Sequence, residues 1–208
     1  LDWDDDLEDD SWDENSPQLV EDAMEVLASE GRFAPREAAR LVLAGMDEVR
    51  DDLLDWLTDE QYRADPLPGT GEAPANAARL LSELRDEDAI DRLFDVLGDS
   101  DPLGDEAPYA VARYGARAID TLITMVKDDS LRRPKRTAAL WSLAYLAARN
   151  PALRPQALTA IVDCLKSGSA AILNEALEVL EELRAVEVLP TILEMAHTGD
   201  LDFERVGR

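Results

Sequence analysis

The sequence predicts an all-α fold, a right-handed α-solenoid of about five stacked antiparallel helix pairs. Three observations support this prediction. Four segments share one pattern of apolar residues and begin at Ala89, Ala118, Ala157 and Val188, so that successive starts are 29, 39 and 31 residues apart. Each of these segments follows another segment with helical periodicity. No stretch shows the alternation of β-branched and polar residues that is typical of a half-buried strand.

The four repeated segments predict the second helix of each pair. Counted from their first residues, apolar residues recur at offsets 0, 1, 4, 5, 7 and 8, the wide apolar stripe of a helix covered on one side. Offsets 2 and 6 are one helical turn apart and mostly polar, so Asp91 and Asp95 are expected on an exposed edge. The apolar columns predict one continuous core, which includes Ile90, Leu93, Ile119, Leu122, Leu158, Ile161, Leu189 and Ile192.

A first helix is expected before each repeated segment. The one at residues 135–149 is apolar nearly all round, which indicates burial on two sides. Nearer the N-terminus, Pro17 and Pro35 suit the first turns of two further helices, because proline is tolerated where the backbone N–H has no helical partner. The prolines and glycines of residues 66–74 predict a loop. The expected helices outside the repeated segments cover residues 16–31, 35–45, 46–57, 76–84, 107–114, 135–149 and 170–184.

These elements predict one domain with two tails. The domain covers residues 16–199, in which residues 16–64 form degenerate N-terminal helices and residues 74–199 form the clearer repeats. Residues 1–15 are expected to be an acidic tail, and residues 200–208 a C-terminal tail. A chain of 208 residues, 46% of them hydrophobic, can bury one continuous core without a second domain.

Three of the repeated segments also resemble a known family. The sequences AIDRLFDVLGD, AIDTLITMVKDD and EVLPTILEMAHTG resemble the second helix of HEAT repeats, in the short PBS-lyase-type form of bacterial and archaeal proteins. The resemblance covers roughly residues 74–199 and implies stacked helix pairs. It leaves the function open, because such repeats serve scaffolds, adaptors, bilin lyases and DNA glycosylases alike.

The charge of the chain is distributed unevenly. The net charge is −25, and residues 1–106 contain 33 acids and 8 arginines, whereas residues 107–208 contain 13 acids and 13 bases. A halophilic origin is one explanation, although halophilic acidity usually covers the whole surface. An acidic first half favours charge-guided binding to a protein with a basic surface, and it disfavours direct contact with nucleic acid or a membrane.

The N-terminal segment concentrates this acidity. Residues 1–14 contain nine acids and no base, and Trp3 and Trp12 are interleaved with them. This pattern is typical of a segment that docks onto a basic and partly apolar groove, either on a partner or on this chain. The alternative is a solvated tail without a binding role. The chain's own candidate surface is a basic stretch that contains Arg113, Arg117, Arg132, Arg133, Lys135 and Arg136.

Residues with catalytic or ligating chemistry are few. His197 is the single histidine and Cys164 the single cysteine, which excludes a multi-histidine metal site and an internal disulfide in this sequence. His197 is expected to stabilise a helix C-terminus and Cys164 to lie in the core. The acids of residues 99–106 form a candidate Ca²⁺ loop, but Leu103 stands where an oxygen ligand is needed. No catalytic residue, cofactor or metal site is therefore predicted.

These observations favour a non-enzymatic adaptor or regulatory module that binds a protein through a charged surface. One alternative is an inhibitor that mimics nucleic acid with ordered carboxylates, and a second is a HEAT-like enzyme of the bilin lyase or DNA glycosylase type. The longest apolar run, residues 138–148, is too short to cross a bilayer, and the acidic N-terminus is unlike a secretory signal. A cytoplasmic location is expected, and the oligomeric state is left open.

Overall fold

The computed structural model describes residues 17–29, 36–58, 62, 72–167 and 170–201. This part of the chain is helical and contains no β-strand. The tail predicted at residues 1–15 and most of the tail predicted at residues 200–208 lie outside the described residues. The helices are α1 (Pro17–Ser29), α2 (Arg36–Ala44), α3 (Met46–Thr58), α4 (Ala73–Leu84), α5 (Ala89–Val96), α6 (Pro102–Arg113), α7 (Ile119–Lys127), α8 (Arg133–Arg149), α9 (Arg154–Ser167), α10 (Ala170–Glu182) and α11 (Leu189–Thr198).

Alternate helices pack side by side. Helices α4, α6, α8 and α10 form a continuous row in which each contacts the next, and we call this the first row. Among the helices outside this row, α3 contacts α5, and α7 contacts α9. Helix α8 packs against α6, α7, α9 and α10, which explains why its sequence is apolar nearly all round.

The apolar columns of the sequence identify most of the core. Ile90, Leu93, Ile119, Leu122, Leu158 and Ile161 are all buried, as expected. The prediction was wrong for α11, where Leu189 is 50% exposed and Ile192 is only partly buried. Met195 instead turns into the core, because α11 is the last described helix and no further described helix covers its outer side.

Helix α6 begins five residues earlier than the sequence suggested. Pro102 occupies its first turn, and the Asp101 carboxylate accepts a hydrogen bond from the Gly104 backbone N–H at 2.7 Å, as an N-cap does. A Cβ at Gly104 would overlap the carbonyl group of Asp99, so a side chain there would push the capping turn apart. Residues 99–106 are thus a capped helix start, and the candidate Ca²⁺ loop is replaced by helix.

Two of the first-row helices end in the same way. The sequence Glu-Leu-Arg closes both α4 and α10, and Arg85 and Arg184 adopt the left-handed conformation with φ of 55° and 48°. The Arg85 backbone N–H donates to the Ser82 carbonyl at 3.2 Å, and the Arg184 N–H donates to the Glu181 carbonyl at 2.9 Å. These two turns therefore share one backbone conformation, whereas no left-handed residue directly follows α6 or α8.

Replacing Leu122 in α7 by alanine should lower the free energy of unfolding by about 2–5 kcal/mol, because the side chain is fully buried and would leave a cavity. Urea denaturation of the variant measures the change. The matched control is Leu193→Ala in α11, whose side chain is 68% exposed, and it should change stability by about 0.5 kcal/mol or less. Equal effects of the two substitutions would contradict the core assignment.

Replacing Gly98 by alanine should destabilise the protein more than the same change at Gly199. Both glycines are left-handed, with φ of 77° and 81°, so both substitutions carry similar backbone strain. Only at Gly98 would the new Cβ overlap the backbone of Pro134 and Lys135 at the start of α8. The overlap should add a further loss of about 1–3 kcal/mol, measured by denaturation of both variants. A smaller loss at position 98 would show that α5 and α8 do not approach closely.

Candidate functional site

An exposed aromatic cluster lies where α6 and α8 pack side by side. It consists of Tyr109 on α6 and of Trp141 and Tyr145, which are one turn apart on α8. The rings of Tyr109 and Tyr145 stack with centroids 4.0 Å apart, and the rings of Trp141 and Tyr145 are tilted with centroids 5.9 Å apart. The Tyr145 hydroxyl donates to the Tyr109 hydroxyl at 2.9 Å. Tyr109 is nevertheless 43% exposed, so the stacked pair presents an accessible ring surface.

Two arginines stand at one end of this cluster. A cavity of about 360 Å³ is lined by Tyr109, Tyr145, Arg113 and Arg149, among others. Burial lowers the pKa of Arg113, and the positive charges of Arg149 and Arg79 lower it further. Arg113 forms an ion pair with Glu83 on α4. Glu106, which pairs with Arg79 at 2.7 Å, also lines the cavity, so three arginines at this end face two carboxylates and the local charge is positive.

Carboxylates stand at the other end. A second cavity of about 540 Å³ extends from Tyr109, Trp141 and Tyr145 to Asp99 and Asp105 at the start of α6. The two cavities share the stacked tyrosines and therefore lie side by side. We call the two adjacent cavities together the aromatic groove. Its charge changes along its length, from carboxylates at the helix starts to arginines at the helix ends.

The basic stretch predicted from the sequence is divided by the fold. Arg113 lies at the end of α6, close to Arg149 at the end of α8. Arg132, just before α8, lies at the opposite end of the two helices and contacts Asp99 at 3.2 Å. Because α6 and α8 run in the same direction, cations at the end of one helix and at the start of the other cannot form one patch. The single patch expected from the sequence is thus two separate groups.

Most of these cations also contact residues of other helices or turns. Arg117 forms an ion pair with Glu87 at 2.9 Å, and Arg136 is buried with its guanidinium bound to the Val126 carbonyl. The Lys135 ammonium donates to the Asp95 carbonyl at 3.2 Å. Arg133 is exposed, and so are the side chains of the predicted binding residues Asp91 and Asp95 on α5. Trp3 and Trp12, the remaining predicted binding residues, lie outside the described residues.

A second depression lies between α1 and α3, in the acidic half of the chain. It has a volume of about 380 Å³, and Trp56 and Tyr62 contribute tilted rings with centroids 5.7 Å apart. Arg50 is the single cation of α1 and α3, and its hydrogen bonds to Asp86 and Asp88 raise its pKa. Its charge is therefore directed to the turn after α4. We call the depression the acidic pocket, and its lining residues are Glu21, Met24, Val49, Asp52, Asp55, Trp56 and Tyr62.

The single cysteine and the single histidine have structural surroundings. Cys164 is 3% exposed, and its thiol lies 3.3 Å from the Ala160 carbonyl one turn earlier. Burial raises the pKa of this thiol to about 11. His197 is exposed in the last turn of α11, where positive charge is favoured by the helix dipole. Within the described residues, no group of three or more His, Cys, Asp or Glu side chains could hold a metal ion.

Comparison with known proteins leaves the family open. No protein-family model matches this chain, and no curated protein matches it. The resemblance to HEAT repeats therefore rests on the repeated segments alone and stays a prediction. Of the helices in the described part of the chain, none combines the length and the apolar character that crossing a membrane requires.

Sequence reasoning missed both depressions. The signal for the aromatic groove was present in the sequence, because Trp141 and Tyr145 are one helical turn apart and Tyr109 precedes Tyr145 by 36 residues. In the acidic pocket, Asp52 and Asp55 are exposed, as acids on a helix surface usually are, so the sequence gives them no distinguishing sign. What the sequence could not provide is the position of Tyr62, which comes from beyond the end of α3.

The Cys164 thiol should react slowly with iodoacetamide in the native protein. At pH 8, raising the thiol pKa from about 9 to about 11 reduces the reactive thiolate roughly 100-fold, and burial slows the reaction further. The measurement is the alkylation rate at pH 8 by mass spectrometry, with the urea-unfolded chain as the control. A native rate within a few-fold of the unfolded rate would show that the thiol is accessible and ionised.

Proposed function

We propose that this protein is a non-enzymatic protein-binding module, an adaptor or regulatory subunit, whose partner presents basic side chains to the acidic first half. In this proposal the chain is a right-handed HEAT-like solenoid. Helices α4–α5, α6–α7, α8–α9 and α10–α11 are four repeats, and α1–α3 supply a degenerate fifth. The contacts between successive first-row helices and the shared turns after α4 and α10 support this interpretation.

The acidic pocket is the observation that carries the proposal. Carboxylates of Glu21, Asp52 and Asp55 surround an opening whose wall includes the rings of Trp56 and Tyr62. An ammonium or guanidinium group in this opening would meet carboxylate oxygens and could contact an aromatic ring. The apolar side chains of Met24 and Val49 would contact the methylene stem of a lysine or arginine. The lining therefore matches a basic side chain of a protein partner better than an anionic or purely apolar group.

The negative charge around the acidic pocket would attract a basic partner before a side chain of that partner enters the pocket. Helices α1 and α3 contain eight acids and one arginine, so a partner with a basic surface is attracted from outside contact distance. Such attraction mainly accelerates the encounter, and it weakens as salt screens the charges. In the bound state the pocket would provide the shape and the aromatic contact that a uniform acidic surface lacks.

Fluorescently labelled octalysine is a suitable probe for this surface, with binding measured by fluorescence anisotropy at two salt concentrations. The double variant Asp52→Asn, Asp55→Asn should weaken binding about tenfold, because both pocket carboxylates are lost together. The matched control is Asp47→Asn, Asp51→Asn, which removes the same charge from exposed positions of the same helix outside the pocket. This control should weaken binding about twofold, through the general field alone.

The two double variants separate a pocket from a diffuse acidic surface. A loss for the pocket variant that clearly exceeds the loss for the control supports the proposal at either salt concentration. Equal losses would mean that octalysine responds only to total charge, and the pocket would then have no binding role.

A further inference from the structure

We propose that the arginine end of the aromatic groove is the binding site for residues 1–14 of the same chain. The groove and the acidic pocket share no residue, so this inference does not depend on the proposed basic partner. In this arrangement a tryptophan of the acidic segment contacts the stacked tyrosines, and carboxylates of the segment meet the arginines.

The arginine end of the groove has the chemistry of an anion site beside an aromatic surface. Arg113 and Arg149 line the cavity together with the stacked rings of Tyr109 and Tyr145. Burial lowers the pKa of Arg113, and the charges of Arg149 and Arg79 lower it further, so an added carboxylate would stabilise the charged guanidinium in this half-buried position. An indole ring could contact the exposed face of the tyrosine pair, since offset aromatic rings attract each other.

The N-terminal segment has the complementary composition. Residues 1–14 contain nine acids, no base and two tryptophans, and no other stretch of the chain combines these features. The opposite end of the groove carries Asp99 and Asp105 and would repel such a segment. Charge therefore assigns the segment to one half of the groove, where its carboxylates meet arginines and a tryptophan meets tyrosines.

The start of α1 lies on the side of the molecule where the first-row helices α4, α6 and α8 end. The Leu27 carbonyl near the end of α1 accepts a hydrogen bond from Asn76 at the start of α4. Near the start of α1, Val20 contacts Gly45, just before α3 begins, and Arg50 of α3 binds Asp86 beyond the end of α4. Helix α1 therefore enters from the side on which α4, α6 and α8 end, which is also the arginine side of the groove.

The distance from α1 to the groove determines which tryptophan is assigned to the tyrosine pair. Helices α1, α4, α6 and α8 are successive neighbours, so at about 8–10 Å per helix the groove lies roughly 25 Å from α1. An extended chain spans about 3.3–3.6 Å per residue. Trp12, five residues before Pro17, therefore reaches at most about 18 Å, whereas Trp3, fourteen residues before it, reaches about 45 Å. Trp3 therefore reaches the tyrosine pair with chain to spare, whereas Trp12 does so only from a fully extended chain and side chain, and we assign the contact to Trp3.

Zero-length cross-linking of the full chain tests this contact. The variant Arg149→Lys keeps the positive charge and introduces an amine, which a carbodiimide couples to a carboxylate in direct contact. Mass spectrometry should find this amine joined to carboxylates of residues 1–14. Added to this variant, Trp3→Ala should reduce the yield at least fivefold, whereas Trp12→Ala should change it less than twofold. The matched control is Arg133→Lys, which introduces an exposed amine at the other end of α8 and should give little coupling to residues 1–14.

Each result decides for or against the proposal. Coupling from position 149 that depends on Trp3, and that stays within one chain when ¹⁵N-labelled and unlabelled proteins are mixed, supports it. The proposal is overturned if position 149 couples no better than position 133, if Trp3→Ala leaves the yield unchanged, or if half of the links join labelled to unlabelled chains. A failure of octalysine to bind the acidic pocket would leave all of these cross-linking results unchanged.

Discussion

The enclosure of α8 by four neighbouring helices is the constraint on which the other features depend. Alanines at positions 138, 139, 144 and 147 are buried, and their small side chains allow helices to approach on several sides. Beyond the first turn of α8, a narrow edge remains accessible, and there the sequence places Trp141, Tyr145 and Arg149. The aromatic groove is thus a consequence of how completely the rest of α8 is buried.

The sequence predicted the helices well because each apolar column is a local property with a period near 3.6 residues. Its errors concern properties that depend on neighbours. Leu189 follows the same column as Ile90, but burial needs a covering element, and no described helix covers the outer side of α11. Pro102 and Gly104 resembled loop residues, yet proline suits a first helical turn and glycine permits the tight contact with Asp99.

The site was harder to predict because it depends on the register between helix pairs. Side chains 36 residues apart meet repeatedly, as in Tyr109 with Tyr145, Lys127 with Asp163 and Arg50 with Asp86. The same offset relates Arg113 to Arg149, which line one cavity. The basic stretch was instead grouped by closeness in sequence, and that grouping fails because successive first-row helices run in the same direction. A register of about 36 residues between successive helix pairs is the relation that recovers the groove.

Ion pairs between helix pairs and the acidic surface of the first half have different roles. Arg117 with Glu87 and Lys127 with Asp163 join successive helix pairs, but exposed ion pairs contribute only about 0–1 kcal/mol each. Such pairs favour one register over its alternatives more than they add to stability, because a shifted register would bring like charges together. In α1 and α3 eight acids share a single arginine, Arg50, which contacts Asp51 and also binds Asp86 and Asp88 beyond α4. Repulsion among these acids opposes folding, and the basic partner that we propose would relieve that repulsion on binding.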